Sequence, residues 1–182
     1  MPSPKITIAR KLGVEALLKR VQQVTKNAVY VGVPADKSSR KGGGINNAEL
    51  LFIFSKGSPM HKQPPRSVLE PAIDADGNRQ AIVAELSASC RAELAGDKPG
   101  ARKGMKRAAL AGQNAARGWF TDPRNHWAPL VDSTKNARLR RMKGKTKKAA
   151  LAEIAQGGNP FTVGIDTGAM RASIIGIVKE SE

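Results

Sequence analysis

The stretch from Ile73 to Phe120 constrains the fold more than any other part of the chain. It contains one proline, Pro99, and apolar residues recur with helical spacing on both sides of that proline. Because proline inside a helix removes a hydrogen bond and clashes with the preceding turn, a stretch with so few prolines favours long helices. The pattern predicts two, over about residues 75–95 and 101–120.

The second of these helices carries mostly small residues along one face, namely Met105, Ala108, Ala109, Gly112, Ala115, Ala116 and Trp119. Small side chains let a neighbouring helix approach closely. We therefore expect this helix to be a central packing element or a contact between copies of the chain. The candidate packing or oligomer-contact residues are Ala108, Gly112, Ala115 and Trp119.

The N-terminal third predicts a helix followed by a strand. Apolar residues recur at helical spacing over about residues 14–25, at Val14, Leu17, Leu18, Val21 and Val24. The run from Val29 to Val33 is short, rich in β-branched residues and stopped by Pro34, which is typical of a buried strand.

Further elements follow from capping residues and proline positions. Asn46 or Asn47 can cap a helix that ends before Gly57, with Ala48, Leu51 and Phe52 on its apolar face. Ser67–Leu69 is bracketed by prolines and predicts an extended edge. Residues 173–178 alternate loosely and predict a last strand.

These elements predict an α+β fold, a small, mostly antiparallel sheet packed by two long helices. A chain of 182 residues is expected to form one domain, residues 1–182. Two segments rich in charged residues, about 35–45 and about 135–148, are expected to be mobile basic loops. Within the second, residues 131–142 can form a basic helix capped by Asp132 or Ser133, which leaves residues 143–148 as the mobile part.

The positive charge is concentrated in the middle of the chain. The formal net charge is +16, and residues 98–148 contain 15 basic and 2 acidic side chains. The densest part is expected to repel itself and stay solvated unless it contacts an acidic protein surface or phosphate. Its candidate contact residues are Lys135, Arg138, Arg140, Arg141, Lys143, Lys145, Lys147 and Lys148. Residues 128–160 contain no aromatic side chain, which disfavours binding of single-stranded nucleic acid by base stacking.

Composition argues against several other classes of protein. With one cysteine, Cys90, and two histidines, His61 and His126, no cluster has the spacing of a structural zinc site, so neither a metal nor a cofactor is expected. The longest apolar stretch, residues 48–54, is interrupted by Glu49 and is too short to span a membrane. We expect a protein made in a reducing cytoplasm.

The tripeptide Asp166, Thr167 and Gly168 follows an apolar segment, as the catalytic aspartate of an aspartic protease does. That chemistry needs two carboxylates that share a proton, so a single copy would have to dimerise. Only 14 residues follow Gly168, which is too few for the rest of such a fold. Asp166 is therefore interpreted as a helix cap.

Three separated segments carry a resemblance to a known group of proteins. They are residues 29–34 (VYVGVP), 47–71 (NAELLFIFSKGSPMHKQPPRSVLEP) and 165–174 (IDTGAMRASI). In this order the chain resembles the tail-completion or neck proteins of long-tailed bacteriophages, the HK97 gp10-like and virion-morphogenesis group. The residues that match the motifs, or stand at their conserved positions, are Gly32, Pro34, Asn47, Glu49, Gly57, Pro65, Arg66, Asp166, Thr167, Gly168 and Ser173. The chain departs from the group at residues 54–57, where a glutamate-bearing motif is common.

The resemblance implies a non-enzymatic virion protein at the head–tail interface, made in the bacterial host. It implies a ring, expected to be a hexamer, that joins the tail tube or terminator proteins to the head connector or portal proteins, with genomic DNA as a possible further contact. Two hypotheses from other classes remain open. A basic DNA-binding protein would contact phosphates without sequence specificity and lose affinity steeply with salt. A hydrolase would lose a peptidase activity on Asp166→Asn.

Overall fold

The computed structural model describes residues 13–40 and 44–180, and these residues form eight α-helices and two β-strands. Short 3₁₀ turns connect several of them. In chain order the elements are α1 (Val14–Lys26), β1 (Asn27–Gly32), α2 (Asn47–Lys56), α3 (Leu69–Asp74), α4 (Asn78–Ala95), α5 (Lys98–Gly118), α6 (Asp132–Arg141), α7 (Gly144–Ala155), α8 (Ala169–Ser173) and β2 (Ile175–Glu180).

The helix pair α4 and α5 is the frame of the molecule and confirms the two predicted long helices. The small residues of α5 are buried, at Ala101, Gly104, Ala108, Ala109, Gly112, Ala115 and Ala116. A Cβ atom at Gly104 would lie 2.7 Å from the Ser89 Cβ of α4, and the Ser89 hydroxyl donates to the Ala101 carbonyl oxygen at 2.7 Å. Because this face carries only glycine and alanine, the two helices can approach each other closely.

The sheet has two antiparallel strands, and both strands pack against α5. Val29 pairs with Val178, and Val31 pairs with Gly176. A Cβ at Gly176 would overlap the Ala109 carbonyl group, so only glycine permits this approach. β1 was expected to be buried, but its residues are half-buried or exposed, because a two-stranded sheet covered by helices on one face leaves the other face open.

The predicted fold class is confirmed, since a small antiparallel sheet packs against long helices. Next to this sheet lies a core that contains three aromatic rings. Phe54 lies 6.0 Å from Phe120 and 5.2 Å from Trp127, measured between ring centroids. Trp127 thereby anchors the loop that follows α5. Around the rings, Val68 and Ile174 are fully buried.

The prediction for Ser67–Leu69 was wrong. Val68 is buried in the core, and Leu69 begins α3. Pro71 is tolerated there because it is the third residue of α3, where the backbone N–H has no partner within the helix in any case.

In the basic segment, the helix predicted over residues 131–142 is present as α6. The next helix, α7, begins at Gly144, within the part of the segment for which a loop was expected. The other segment, residues 35–45, contains a 3₁₀ turn at Ala35–Lys37, and residues 41–43 lie outside the described part of the chain.

Candidate interaction site

The three segments that carry the resemblance are neighbours in the fold. Gly32, near the end of the first segment, pairs with Ile175, which directly follows the third. Helix α2 of the second segment packs against α8 of the third. The long crossover between α2 and α3 returns to α2, where the Arg66 amide donates to the Phe54 carbonyl oxygen at 3.0 Å. Residues far apart in sequence therefore build one region of the surface.

A cleft of about 440 Å³ opens in this region. Its walls come from the crossover, from the segment that leads into α6, and from residues 163–170. The apolar side chains that line it are Leu50, Phe54, Pro64, Pro129, Leu130, Val131, Val163, Ala169 and Met170. Its charged side chains are Arg40, Lys62, Arg66 and Arg138, together with one acid, Asp166.

Arg66 is the most deeply buried charged residue among those described. It is 9% exposed, and its guanidinium lies 5.7 Å from the centre of the Phe54 ring. Within the described chain, its side chain makes a single hydrogen bond, from Nη2 to the Ala128 carbonyl oxygen at 3.4 Å, and Nε is buried without an acceptor. Burial lowers the pKa of Arg66, because removal from water disfavours the charged form.

Arg138 lines the same cleft, but its hydrogen bonds are made within the chain. Its Nη1 donates to the carbonyl oxygens of Thr162 at 2.9 Å and Ile165 at 2.7 Å. The Asp166 carboxylate lies 3.6 Å from Arg138 Nε and 2.9 Å from Arg141 Nη2. The single acid of the cleft is thus already paired with two arginines.

The interpretation of Asp166 as a helix cap was wrong. Gly168 is the residue that precedes the first turn of α8, with a φ of 79°, and the Asp166 side chain makes no hydrogen bond to that helix end. The Thr167 hydroxyl accepts from the Ala169 amide at 3.4 Å. Asp166 joins residues 163–168 to α6 through its arginine contacts, a role that its sequence neighbours do not reveal.

The other motif residues shape the backbone around the cleft. Gly57 ends α2 with a φ of 79°, and a Cβ there would lie 2.8 Å from both the Gln63 carbonyl oxygen and the Pro65 nitrogen. The Ser173 hydroxyl is buried and donates to the Met170 carbonyl oxygen at 2.6 Å. Gly57 therefore allows the tight return of the crossover, and Ser173 ties the end of α8.

The N-terminus of α2 is held by side chains as well as by the backbone. Asn46 is the cap, and its backbone N–H donates to the Glu49 carboxylate at 2.9 Å, which completes a capping box. Asn47 is buried, and its amide donates to the Ser38 carbonyl oxygen at 2.7 Å. Pro34 precedes the 3₁₀ turn at Ala35–Lys37. Of the predicted apolar face, Leu51 is buried, but Phe52 is 65% exposed. The buried aromatic ring of α2 is Phe54 instead.

The eight basic candidate residues divide into two groups. Three are engaged within the chain, since Lys135 pairs with Asp132 at 3.0 Å and Arg138 and Arg141 contact Asp166. The side chains of the other five make no ion pair or hydrogen bond to any residue that the structure describes. They are Arg140, Lys143, Lys145, Lys147 and Lys148. These five can meet an external anion.

The small-residue candidates lie inside the chain. Ala108 is fully buried, Ala115 is 9% exposed, Trp119 is 6% exposed, and Gly112 is buried. A Cβ at Gly112 would lie 2.7 Å from the Val31 side chain of β1. The packing alternative is therefore the one realised here, because this face is already covered by the chain itself.

Exposed apolar side chains occur elsewhere on the described surface, and two groups of them lie in the N-terminal third of the chain. The α1 stripe, defined as Val14, Leu17, Leu18 and Val21, was predicted as a helix face, and its members are 45–73% exposed. The α2 patch, defined as Ile45 and Phe52, is 45% and 65% exposed. Neither surface is covered by any other described residue, and no sequence signal distinguishes a helix face that packs internally from one that does not.

The remaining chemical candidates are isolated. Within residues 13–40 and 44–180 no three His, Cys, Asp or Glu side chains are grouped so as to hold a metal ion. In the same part of the chain no helix is both long and apolar enough to cross a membrane. His61 is an exposed residue of the cleft wall, and Cys90 is half-buried.

Sequence reasoning missed an arginine–aspartate pair in the loop after α5. Arg124 Nη2 lies 2.6 Å from Asp122 Oδ2, and the Arg124 amide donates to Asp122 Oδ1 at 2.9 Å. These hydrogen bonds lower the pKa of Asp122 to about 2, and the same contact raises the pKa of Arg124. The guanidinium also lies 5.7 Å from the centre of the Trp119 ring. The sequence Asp-Pro-Arg was the available signal, since an aspartate before proline often begins a turn.

Comparison with known proteins adds no relative. No family model, curated protein or solved structure matches this chain.

Proposed function

We propose that this chain is a non-enzymatic structural protein of a bacteriophage virion, located at the head–tail neck. It assembles as a ring, expected to be hexameric, between the tail tube or terminator proteins and the head connector or portal proteins. The proposal rests on the motif resemblance and on the open apolar surfaces of the fold.

The observation that carries the proposal is the exposure of the α1 stripe and the α2 patch. Monomeric proteins rarely leave contiguous apolar surface of this kind uncovered, and such surface commonly marks a protein interface. The two surfaces lie on different helices and are not equivalent. Pairing of one surface with the other between successive copies is a heterologous contact, and repeated heterologous contacts close into a ring when the rotation permits.

The motif residues support the same proposal. They end helices, close turns and fill the core around the cleft, and among the described residues they form no acid–base or nucleophilic constellation. Asp166 in particular is paired with Arg138 and Arg141. This arrangement supports a structural role rather than a catalytic one.

A second candidate is a DNA-binding protein that contacts phosphates without reading sequence. The five unpaired basic residues of α6 and α7 favour it, because unpaired lysine and arginine side chains can neutralise phosphates. This candidate predicts that duplex affinity falls steeply with salt and that no defined assembly forms.

Negative-stain imaging of the purified full chain, alone and mixed with isolated phage tails, tests the proposal. We expect closed rings, and density added at the head-proximal end of the tails. Particles that remain monomeric and never attach to tails would contradict the proposal. A matched salt series of duplex binding on the same preparation distinguishes the DNA-binding candidate.

A further inference from the structure

The cleft is unbalanced in charge. Four basic side chains line it, Arg40, Lys62, Arg66 and Arg138, against one acid, and that acid already contacts two arginines. Lys62 is exposed at the rim and makes no ion pair or hydrogen bond through its side chain to the part of the chain that the structure describes. The cleft therefore has net positive charge that the described residues leave uncompensated.

Arg66 is the residue that most requires a partner. A buried charge is costly unless it is paired and hydrogen-bonded. Of its five N–H donors, one reaches an acceptor in the described chain, at 3.4 Å, which is a long hydrogen bond. Arg138 lines the same cleft but has its own partners, because it donates to two backbone carbonyls and contacts a carboxylate.

Beside its basic side chains, the cleft also has apolar lining. Leu50, Leu130, Val163 and Met170 line it with apolar surface. The aromatic ring closest to the buried cation, Phe54, is 7% exposed and already stacked within the core, so it offers no platform for a nucleobase. The volume of about 440 Å³ suits a few side chains rather than a duplex.

We infer that this cleft binds a short segment of a partner protein in which a carboxylate side chain is adjacent to an aliphatic one. The carboxylate meets the guanidinium of Arg66 and the ammonium of Lys62, and the aliphatic group occupies the apolar floor. Arginine suits the role because its planar fork matches a carboxylate. The inference concerns the single chain, and it holds whether or not the chain forms a ring.

The test uses the purified full chain and a defined probe, a fluorescein-labelled, N-acetylated hexapeptide of alternating leucine and aspartate. The control probe has asparagine in place of each aspartate. We expect saturable binding of the acidic probe by fluorescence anisotropy and at least about tenfold weaker binding of the neutral one, because the carboxylate supplies the charge-assisted hydrogen bonds.

Two variants locate the site, and a third controls for net charge. Arg66→Gln and Lys62→Gln are each expected to weaken binding of the acidic probe, by about tenfold or more for Arg66. Lys103→Gln removes the same charge from α5, outside the cleft, and is expected to change affinity less than about threefold because exposed charges are screened. Urea unfolding of each variant shows whether its fold is retained. Arg66→Gln is expected to unfold at the same or higher urea concentration than the unchanged protein, because it removes an unpaired buried cation.

Three results would overturn the inference. The first is equal binding of the acidic and neutral probes. The second is equal loss of affinity in Lys62→Gln and Lys103→Gln. The third is displacement of the probe by a short DNA duplex whose own binding depends on Arg66 and Lys62, which would assign the cleft to nucleic acid.

Discussion

The Asp166 carboxylate lies 2.9 Å from Arg141 Nη2, and this contact joins the turn before α8 to the last turn of α6. Arg141 is largely exposed, whereas the Arg138 side chain, which contacts the same carboxylate, is 11% exposed. The two arginines therefore hold α6 in place to different degrees. Arg138 adds hydrogen bonds to two backbone carbonyls that water cannot easily replace.

This difference predicts unequal effects of substitution. Asp166→Asn is expected to lower the free energy of unfolding by less than about 1 kcal/mol, since partly exposed ion pairs contribute little. Arg138→Ala is expected to lower it by about 1.5–3 kcal/mol, because its charged hydrogen bonds are lost. Both values are measured by urea unfolding.

Arg140→Ala on the same helix is the control, since Arg140 is exposed and is expected to change stability by no more than about 0.5 kcal/mol. Equal losses in Arg138→Ala and Arg140→Ala would refute this account of α6. A peptidase activity that disappears in Asp166→Asn would support the hydrolase hypothesis instead.

Gly176→Ala tests the contact between β2 and α5. The added methyl group meets the Ala109 carbonyl group of the backbone, which has no rotamer by which to move away. We expect a loss of stability of about 1–3 kcal/mol, as for other overpacked sites. The measurement is the midpoint and slope of urea unfolding followed by circular dichroism.

Gly118→Ala is the matched control for that substitution. Gly118 ends α5 with a φ of −65°, and nothing lies within 4 Å of the added Cβ. The control is expected to leave stability unchanged or raise it by up to about 1 kcal/mol, because alanine restricts the unfolded chain. A Gly176→Ala protein as stable as the control would show that β2 does not lie this close to α5.

The depressed pKa of Asp122 predicts a pH dependence. Its carboxyl titrates at about 2 in the folded chain against an ordinary value of 3.8, so the pair with Arg124 stabilises the fold above about pH 4 and is lost as the pH falls toward 2. Carboxyl chemical shifts followed by NMR should report this low pKa. Arg124→Gln should raise the pKa of Asp122 toward its ordinary value, and an unchanged pKa in that variant would exclude the Arg124 side chain as the cause.

The sequence predicted those features that are set by local pattern. The length of α4 and α5, the small-residue face around Gly112 and the end of α2 at Gly57 follow from periodicity and from glycine itself. The arginine partners of Asp166 could not be predicted in this way. Arg141 lies in another helix, and the Asp-Thr-Gly pattern describes only the immediate neighbours of Asp166. Val68 was misplaced for a similar reason, since tertiary burial outweighed the flanking prolines.

The candidate site was predictable only in part. Two of the three motif segments, residues 47–71 and 165–174, contribute to the cleft. Neither the cleft nor the burial of Arg66 has a sequence signature, because an arginine at the surface and one in the interior look alike in sequence. The basic cluster was found from charge alone. Its division into engaged residues such as Arg138 and free ones such as Lys145 depends on contacts made across the fold.

The exposure of the two apolar surfaces predicts a loss of assembly on charge insertion. Leu17→Glu in the α1 stripe and Phe52→Glu in the α2 patch each place a carboxylate in the proposed interface between copies, from which water would be excluded. Both are expected to reduce the chain to monomers while its circular dichroism spectrum is retained. Gln22→Glu adds the same charge at another exposed position of α1 and is expected to assemble normally.

The mass of the unmodified protein in solution is the most direct test of the central claim that the chain acts through repeated contact with its own copies. Light scattering coupled to size-exclusion chromatography measures it over a range of concentrations. The account predicts one discrete species at a multiple of the 19.4 kDa chain mass, expected to be sixfold. A 19.4 kDa species at every concentration would contradict it.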